Sequence, residues 1–274
     1  MTPSQLRIIA DNIRIDIIKS LAAAGSGHLG GSLGLADVFT QLYFQTLKHR
    51  PAEPNWSDRD RVILSIGHVA PVLYATLAHS LYFPIEELLT LRKLNSRLQG
   101  HPSRETALPG VEVSSGSLGQ GLSVAVGMTL AAQIDKMDYR IFCIMGDGEL
   151  QEGSCWEAAM SASHYNMKQL IAIVDRNYCQ IDGNTNDVME LEPLIDKWKA
   201  FGWNVIQCNG NDFDELGMAF TKAISSIKKP NVIIANTIMG KGVKSIEGNY
   251  HWHGKAPTLL EADNFIRQIL SSQL

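Results

Sequence analysis

Cysteine is scarce in this chain of 274 residues. Cys143, Cys155, Cys179 and Cys208 are the only four, and no two stand as a C-x-x-C pair. Disulfide and zinc readings are therefore weak, and the thiols read as free in a reducing compartment. No apolar run approaches the ~20 residues that a membrane-spanning helix needs. The N-terminal MTPSQLRIIADNIRIDIIKS carries charge throughout and lacks the continuous apolar region of a secretory signal. Positive charge is not in excess either: 24 Lys and Arg face 28 Asp and Glu, and the net charge of −4 argues against a nucleic-acid partner. Repeats, low-complexity tracts and Pro/Ser-rich linkers are missing too, so nothing marks an internal boundary. The expectation is one cytoplasmic domain over residues 1–274, large enough to bury a core unaided.

What the sequence does contain is alternation. Leu6, Ile9, Ile13, Ile17 and Leu21 fall at helical spacing over residues 4–24, and the Gly-Ser-Gly run at 25–27 stops that helix. A second helical pattern covers about 35–47. Short apolar runs at 61–65, 141–145, 170–175, 203–208 and 232–237 read as strands. Helices are expected at about 70–82, 121–132, 152–165, 193–200 and 212–227, with a last one at the C-terminus. Apolar strands separated by helices imply an α/β fold, a parallel sheet with helices on both faces. Ligands of such sheets bind beyond the carboxyl ends of the strands.

The suspicious residues lie at those ends. Gly146-Asp147-Gly148 follows the strand IFCIM, and Asn177 follows the next strand, LIAIVD, thirty residues after Asp147. If the two strands are neighbours, a carboxylate and an amide oxygen share one rim. That pair leaves most of an octahedral Mg²⁺ shell open for phosphate oxygens and water. The two glycines let backbone N–H groups approach an anion, and a helix begins just after them.

Together with this pair, six segments resemble transketolase, in the order that family has them: SGHLGGSLGLAD at 26–37, LSIGHVAPVLYA at 64–75, GHPS at 100–103, SSGSLGQGLSVAVGMTLA at 114–131, GDGELQEGSCWEA at 146–158 and WHGKAP at 252–257. The resemblance is to the N-terminal, thiamine-diphosphate-binding domain, and it implies roles residue by residue. Asp147 and Asn177 would hold Mg²⁺ through their side chains and Cys179 through its backbone carbonyl. Gly116, Ser117, Leu118, Gly148 and Asn177 would contact thiamine diphosphate. His28, His68, His101 and His253 match the family's active-site histidines, with His68 and His253 also touching the cofactor. Near-neutral imidazoles suit sugar chemistry, which moves protons on and off hydroxyl and carbonyl oxygens. The other four histidines match no such role. Glu152 and Glu157 read as an acidic first turn that complements the helix dipole, or, by resemblance, as part of a carboxylate relay between the two active sites of a dimer.

Some positions depart from the family's pattern. Ile66 and Met239 stand where certain members carry lysine, with Lys241 close by, and Gly31 replaces a hydroxyl side chain. Compensation of the diphosphate charge is thereby expected to fall on Mg²⁺ and backbone donors. More consequential, every match belongs to the first of the family's three domains. The pyrimidine-binding and C-terminal domains, which would supply the activating glutamate and most sugar-phosphate contacts, have no counterpart here. The expectation is the N-terminal subunit of a naturally split transketolase of the pentose phosphate type, favoured over a truncated chain by Met1 and the terminal helix. It would pair with a second subunit in an α2β2 assembly that transfers a two-carbon ketol unit from a ketose to an aldose. The alternatives are a subunit of another thiamine enzyme, of the 2-oxo-acid dehydrogenase or deoxyxylulose-phosphate synthase type, and a non-catalytic cofactor-binding protein.

Overall fold

A computed structural model describes residues 1–273. Helix α1 (Pro3–Ala24) opens on a capping box, in which the Thr2 side chain accepts from the Gln5 amide and the Gln5 side chain returns the bond. It stops at Gly25, whose φ of 67° suits a residue without a Cβ. After it come α2 (Leu29–Gly34) and α3 (Ala36–Gln41), then β1 (Arg61–Leu64), α4 (Ala70–His79), α5 (Gly121–Ile134), β2 (Ile141–Gly146), α6 (Gly153–His164) and β3 (Leu170–Arg176). A small hairpin, β4 (Cys179–Gln180) and β5 (Gly183–Asn184), leads to α7 (Thr185–Val188) and α8 (Leu194–Ala200). The chain finishes with β6 (Asn204–Asn209), α9 (Phe213–Ser225), β7 (Asn231–Asn236) and α10 (Leu259–Ser271).

The main sheet has five strands in the order β1-β2-β3-β7-β6, all parallel. Alternation along the strands builds two cores. Val62, Leu64, Phe142, Ile144, Ile171 and Ile173 face the layer of α1, α3, α4, α9 and α10. Ile63, Cys143, Met145, Ala172 and Val174 face α5, α6 and α8. Both faces are covered, as apolar parallel strands require. All four cysteines are buried and free. Among the described residues, no helix is long and apolar enough to cross a membrane.

Three expectations need correction. The helical pattern of 35–47 is two structures: α3 ends at Gln41 and a wider π turn carries Leu42–Thr46. The preceding α2 was not expected at all. Glu152 and Glu157 are not a first-turn acidic pair, because Glu152 caps α6 from outside and Glu157 sits in its second turn.

Candidate active site

Neighbouring strands β2 and β3 pair Gly146 with Asp175, so Asp147 and Asn177 leave the sheet side by side on its carboxyl rim. Asp147 is 2% exposed. Its Oδ1 accepts from the Gly148 amide at 2.8 Å, and its Oδ2 accepts from the Tyr178 amide at 2.7 Å and from Arg176 at 3.1 Å. The Asn177 amide is oriented by Asp175, which accepts from its Nδ2 at 2.7 Å, while its Oδ1 accepts from the Cys179 amide at 2.9 Å. Burial drives Asp147 upward, against the pull of Arg176, and drives Asp175 up to about 7. Asp147 thus shares the one buried guanidinium, while Asp175 is held by Thr237 and Asn177 alone.

Beside this rim lies a cleft of about 330 Å³. It is lined by His28, His68, His101, Gly116, Leu118, Asp147, Gly148, Glu152, Asn177, Cys179 and His253. The three inner histidines form a cluster: ring centres are 4.9 Å apart for His28 and His68, 5.2 Å for His68 and His253, and 6.0 Å for His28 and His253. Burial, then the neighbouring His253, lowers His28 to about 4 and His68 to about 3. Burial also lowers His253 and the more exposed His101. At neutral pH the cluster is uncharged, and each imidazole has one donor and one acceptor nitrogen. Among the described residues, the buried Nδ1 atoms of His28 and His253 have no hydrogen-bond partner.

Local structure explains the convergence. Gly67 lies so close to the 115–116 backbone that a Cβ there would stand 2.8 Å from the Gly116 nitrogen. This approach sets His68 against the loop that carries Gly116 and Leu118. Below, Glu149 is 2% exposed and accepts from the Ser65 hydroxyl, the Gly119 amide at 2.8 Å and the Gly146 amide at 3.1 Å. One carboxylate therefore ties the ends of β1 and β2 to the loop before α5. Glu149, Asp175 and Arg176 received no role from the sequence alone. For the last two a signal was available, since Asp175-Arg176 puts charge at the end of an otherwise apolar strand.

Two expected residues stand apart from the cleft. Ser117 lines the adjacent groove with Ser114 and Gln120, and Glu157 is exposed on α6. Of the histidines without an expected role, His49 binds Tyr82 and the Tyr43 carbonyl, and His79 binds Asp16. Among the described residues, the cleft lining includes no lysine or arginine. Ile66 is part of its wall, whereas Lys241 pairs with Glu247 in a different depression.

The donor set suits a hard cation: a pinned carboxylate, an oriented amide oxygen and adjacent backbone carbonyls. Among the described residues, no group of three or more His, Cys, Asp or Glu side chains is arranged to hold a metal ion.

Residues 6–270 match the family described as transketolase, thiamine diphosphate binding domain. One of the subunits of the apulose-4-phosphate transketolase of Phocaeicola vulgatus is 40% identical over 269 residues, covering 98% of this chain and 95% of that protein. A 6-deoxy-6-sulfo-D-fructose transketolase subunit of a Clostridium species is 45% identical, covering 89% and 88%. Human transketolase is 39% identical over 97% of this chain but only 42% of its own length. The crystal structure of the Campylobacter jejuni transketolase superposes with a TM-score of 0.92 at 34% identity, covering all of this chain and 43% of that one.

Proposed function

This chain belongs to the transketolase family as an N-terminal, thiamine-diphosphate-binding subunit, and from that premise we propose that it anchors thiamine diphosphate with Mg²⁺ for ketol transfer between sugars. The observation that carries the reading is the rim formed by Asp147 and Asn177 beside the histidine-lined cleft. Asp147, the Asn177 amide oxygen and the Cys179 carbonyl hold the cation, which offsets the diphosphate charge that no lysine or arginine of the cleft meets. Gly148, Gly116 and Leu118 border the cofactor, and Ser117 supports the same loop from its outer side. When bound, thiamine diphosphate supplies a nucleophilic carbon and an electron sink for breaking the bond beside a ketone.

The chain's own residues do the rest. His68 and His253, neutral and adjacent, hold cofactor and substrate oxygens by hydrogen bonds. His28, with an unpartnered Nδ1, and His101, at the cleft mouth, serve sugar hydroxyls and pass protons between them and the donor carbonyl. The apolar wall of Ile66, Val69 and Leu118 keeps water from the reacting carbon.

The transferred group is a two-carbon ketol unit, taken from a ketose and given to an aldose. One relative is named for apulose 4-phosphate and another for 6-deoxy-6-sulfo-D-fructose, each a transketolase subunit. On this reading the anionic tail of the sugar is recognised by a second subunit that carries the pyrimidine-binding and C-terminal domains. The same reading makes residues 1–274 a single domain of an α2β2 assembly. The outward face of α5 and α6 suits the contact between two copies: Ile134, Met160 and Tyr165 are exposed there, and α5 is apolar nearly all round. Glu152 and Glu157 are exposed at this face, where two copies would bring four carboxylates together.

The test is calorimetric titration of the assembled protein with thiamine diphosphate in the presence of Mg²⁺. Asp147→Ala is expected to abolish Mg²⁺-dependent binding, because the rim then keeps no first carboxylate for the cation. Wild-type affinity in that variant would remove Asp147 from the site.

A further inference from the structure

Arg176 is 1% exposed, and its side-chain bonds run to Asp147 at the end of β2 and to the segment that follows β3. One guanidinium nitrogen donates to Asp147 Oδ2 at 3.1 Å and to Thr185 Oγ1 at 2.9 Å. The other donates to Asn186 Oδ1 at 3.3 Å and to Glu192 Oε1 at 3.0 Å. The guanidinium also lies over the Tyr178 ring, 4.0 Å from its centre. Glu192 in turn accepts from the Leu194 amide at 2.8 Å, which fixes it to the start of α8. Its side chain is 45% exposed, so the chain of contacts runs from the buried carboxylate to the solvent.

We infer that Arg176 is the positioning residue of the cation site: it fixes the Asp147 carboxylate and latches the 178–192 segment, whose residues 179–181 line the cleft, with Glu192 as the outer end of the latch. The inference rests on the reading that Asp147 is the cation's carboxylate. Both Asp147 oxygens are already oriented before any ligand arrives, one by the Gly148 amide and the other by Arg176 and the Tyr178 amide. A carboxylate held in this way need not be ordered when the cation binds, so less entropy is lost in binding. Only a planar fork can reach four acceptors on three elements at once, and a lysine at 176 would keep the charge without the geometry. Residues that orient metal ligands typically account for 10–100-fold in metal affinity.

The full chain is titrated by calorimetry with Mg²⁺ in the presence of inorganic pyrophosphate, a probe that carries the phosphate chemistry without the ring. Amide exchange across residues 178–188 and the urea midpoint are measured on the same samples. Arg176→Lys is expected to weaken Mg²⁺ affinity by about 10–100-fold. Glu192→Gln keeps an acceptor for the Leu194 amide but loses the charge. It is expected to weaken affinity several-fold and speed exchange at 178–188, with β2 and β3 exchange unchanged. If Arg176→Lys fails to fold, Glu192→Gln decides alone. Wild-type Mg²⁺ affinity in the folded variants, even with faster exchange, overturns the inference and leaves a purely structural arginine. Asp147→Ala separates the two levels: unchanged affinity there, or no Mg²⁺-dependent binding by the wild type, overturns the underlying reading as well.

Discussion

Among single residues, the partly buried histidines couple stability to pH. His68 is lowered to about 3 and His28 to about 4, in both cases first by burial and then by His253. Their folded pKa values lie below the ordinary 6.5, so the unfolded chain takes up these protons first as pH falls. The stability they contribute is complete above about 6.5 and is lost on descending toward 4 and 3. Asp175, raised to about 7 by burial, works in the opposite sense, because the folded form holds its proton more tightly. The informative comparison is therefore between wild type and His68→Gln. The urea midpoint of wild type is expected to fall more steeply from pH 7 to pH 5 than that of the variant, and equal slopes would show that His68 is not buried neutral. Which residues surround the cleft was largely legible, because motifs such as Gly-Asp-Gly and Gly-His name both the side chain and the backbone freedom it needs. Glu149 was not legible. It lies inside a recognisable motif, but its role comes from Ser65 and Gly119, distant positions whose proximity only the assembled fold creates.

At the level of elements, the strands were legible and the short pieces were not. A run such as Leu170–Val174 has one reading, a strand buried on both faces. Helix α2 contains Gly30, Gly31 and Gly34 within six residues, a composition that opposes helix by about 1 kcal/mol per glycine. Packing overrides propensity there: all six residues are buried, and a Cβ at Gly30 would sit 2.7 Å from Met239, one at Gly34 3.0 Å from the Ile238 carbonyl. The β4–β5 hairpin has two residues per strand, too few for alternation to show. The contact of Gly67 with residues 115–116 belongs to this scale as well, since it joins the turn before α4 to the loop before α5. Adding one methyl at Gly67 must push that loop away, at a cost on the order of 1–3 kcal/mol. Gly67→Ala is expected to lower the urea midpoint and to weaken thiamine diphosphate binding, although position 67 offers no side chain to the cofactor. Retention of both properties would mean that the two backbones can separate without disturbing the cleft.

For the whole molecule, the decisive fact is how much of a transketolase this chain spans. It covers nearly all of one relative that is named as part of a larger enzyme, yet only about two fifths of human transketolase. The cleft follows the same division. It presents a cation rim and a histidine cluster, but its mouth is open, and the arginine near the histidines, Arg92, stands behind His28 and His101 and outside the lining. A cofactor gripped at the diphosphate end alone keeps its ring free to move, and much of the rate advantage of positioning is lost with that freedom. The outward side of α5 and α6, where Ile134 and Met160 are exposed beside Glu157, offers a surface for a contact between copies in such an assembly. The purified chain alone is accordingly expected to bind Mg²⁺ and a diphosphate but to show no ketol transfer. Activity is expected on co-expression with a partner of roughly 300 residues, one to two further domains. Light scattering should then report two copies of each chain, and an α5 substitution such as Ile134→Asp should break that assembly down without altering the fold of the isolated chain. Full turnover by this chain in the absence of any other polypeptide would mean that the cleft is complete as it stands, and the partner would have no catalytic place to fill.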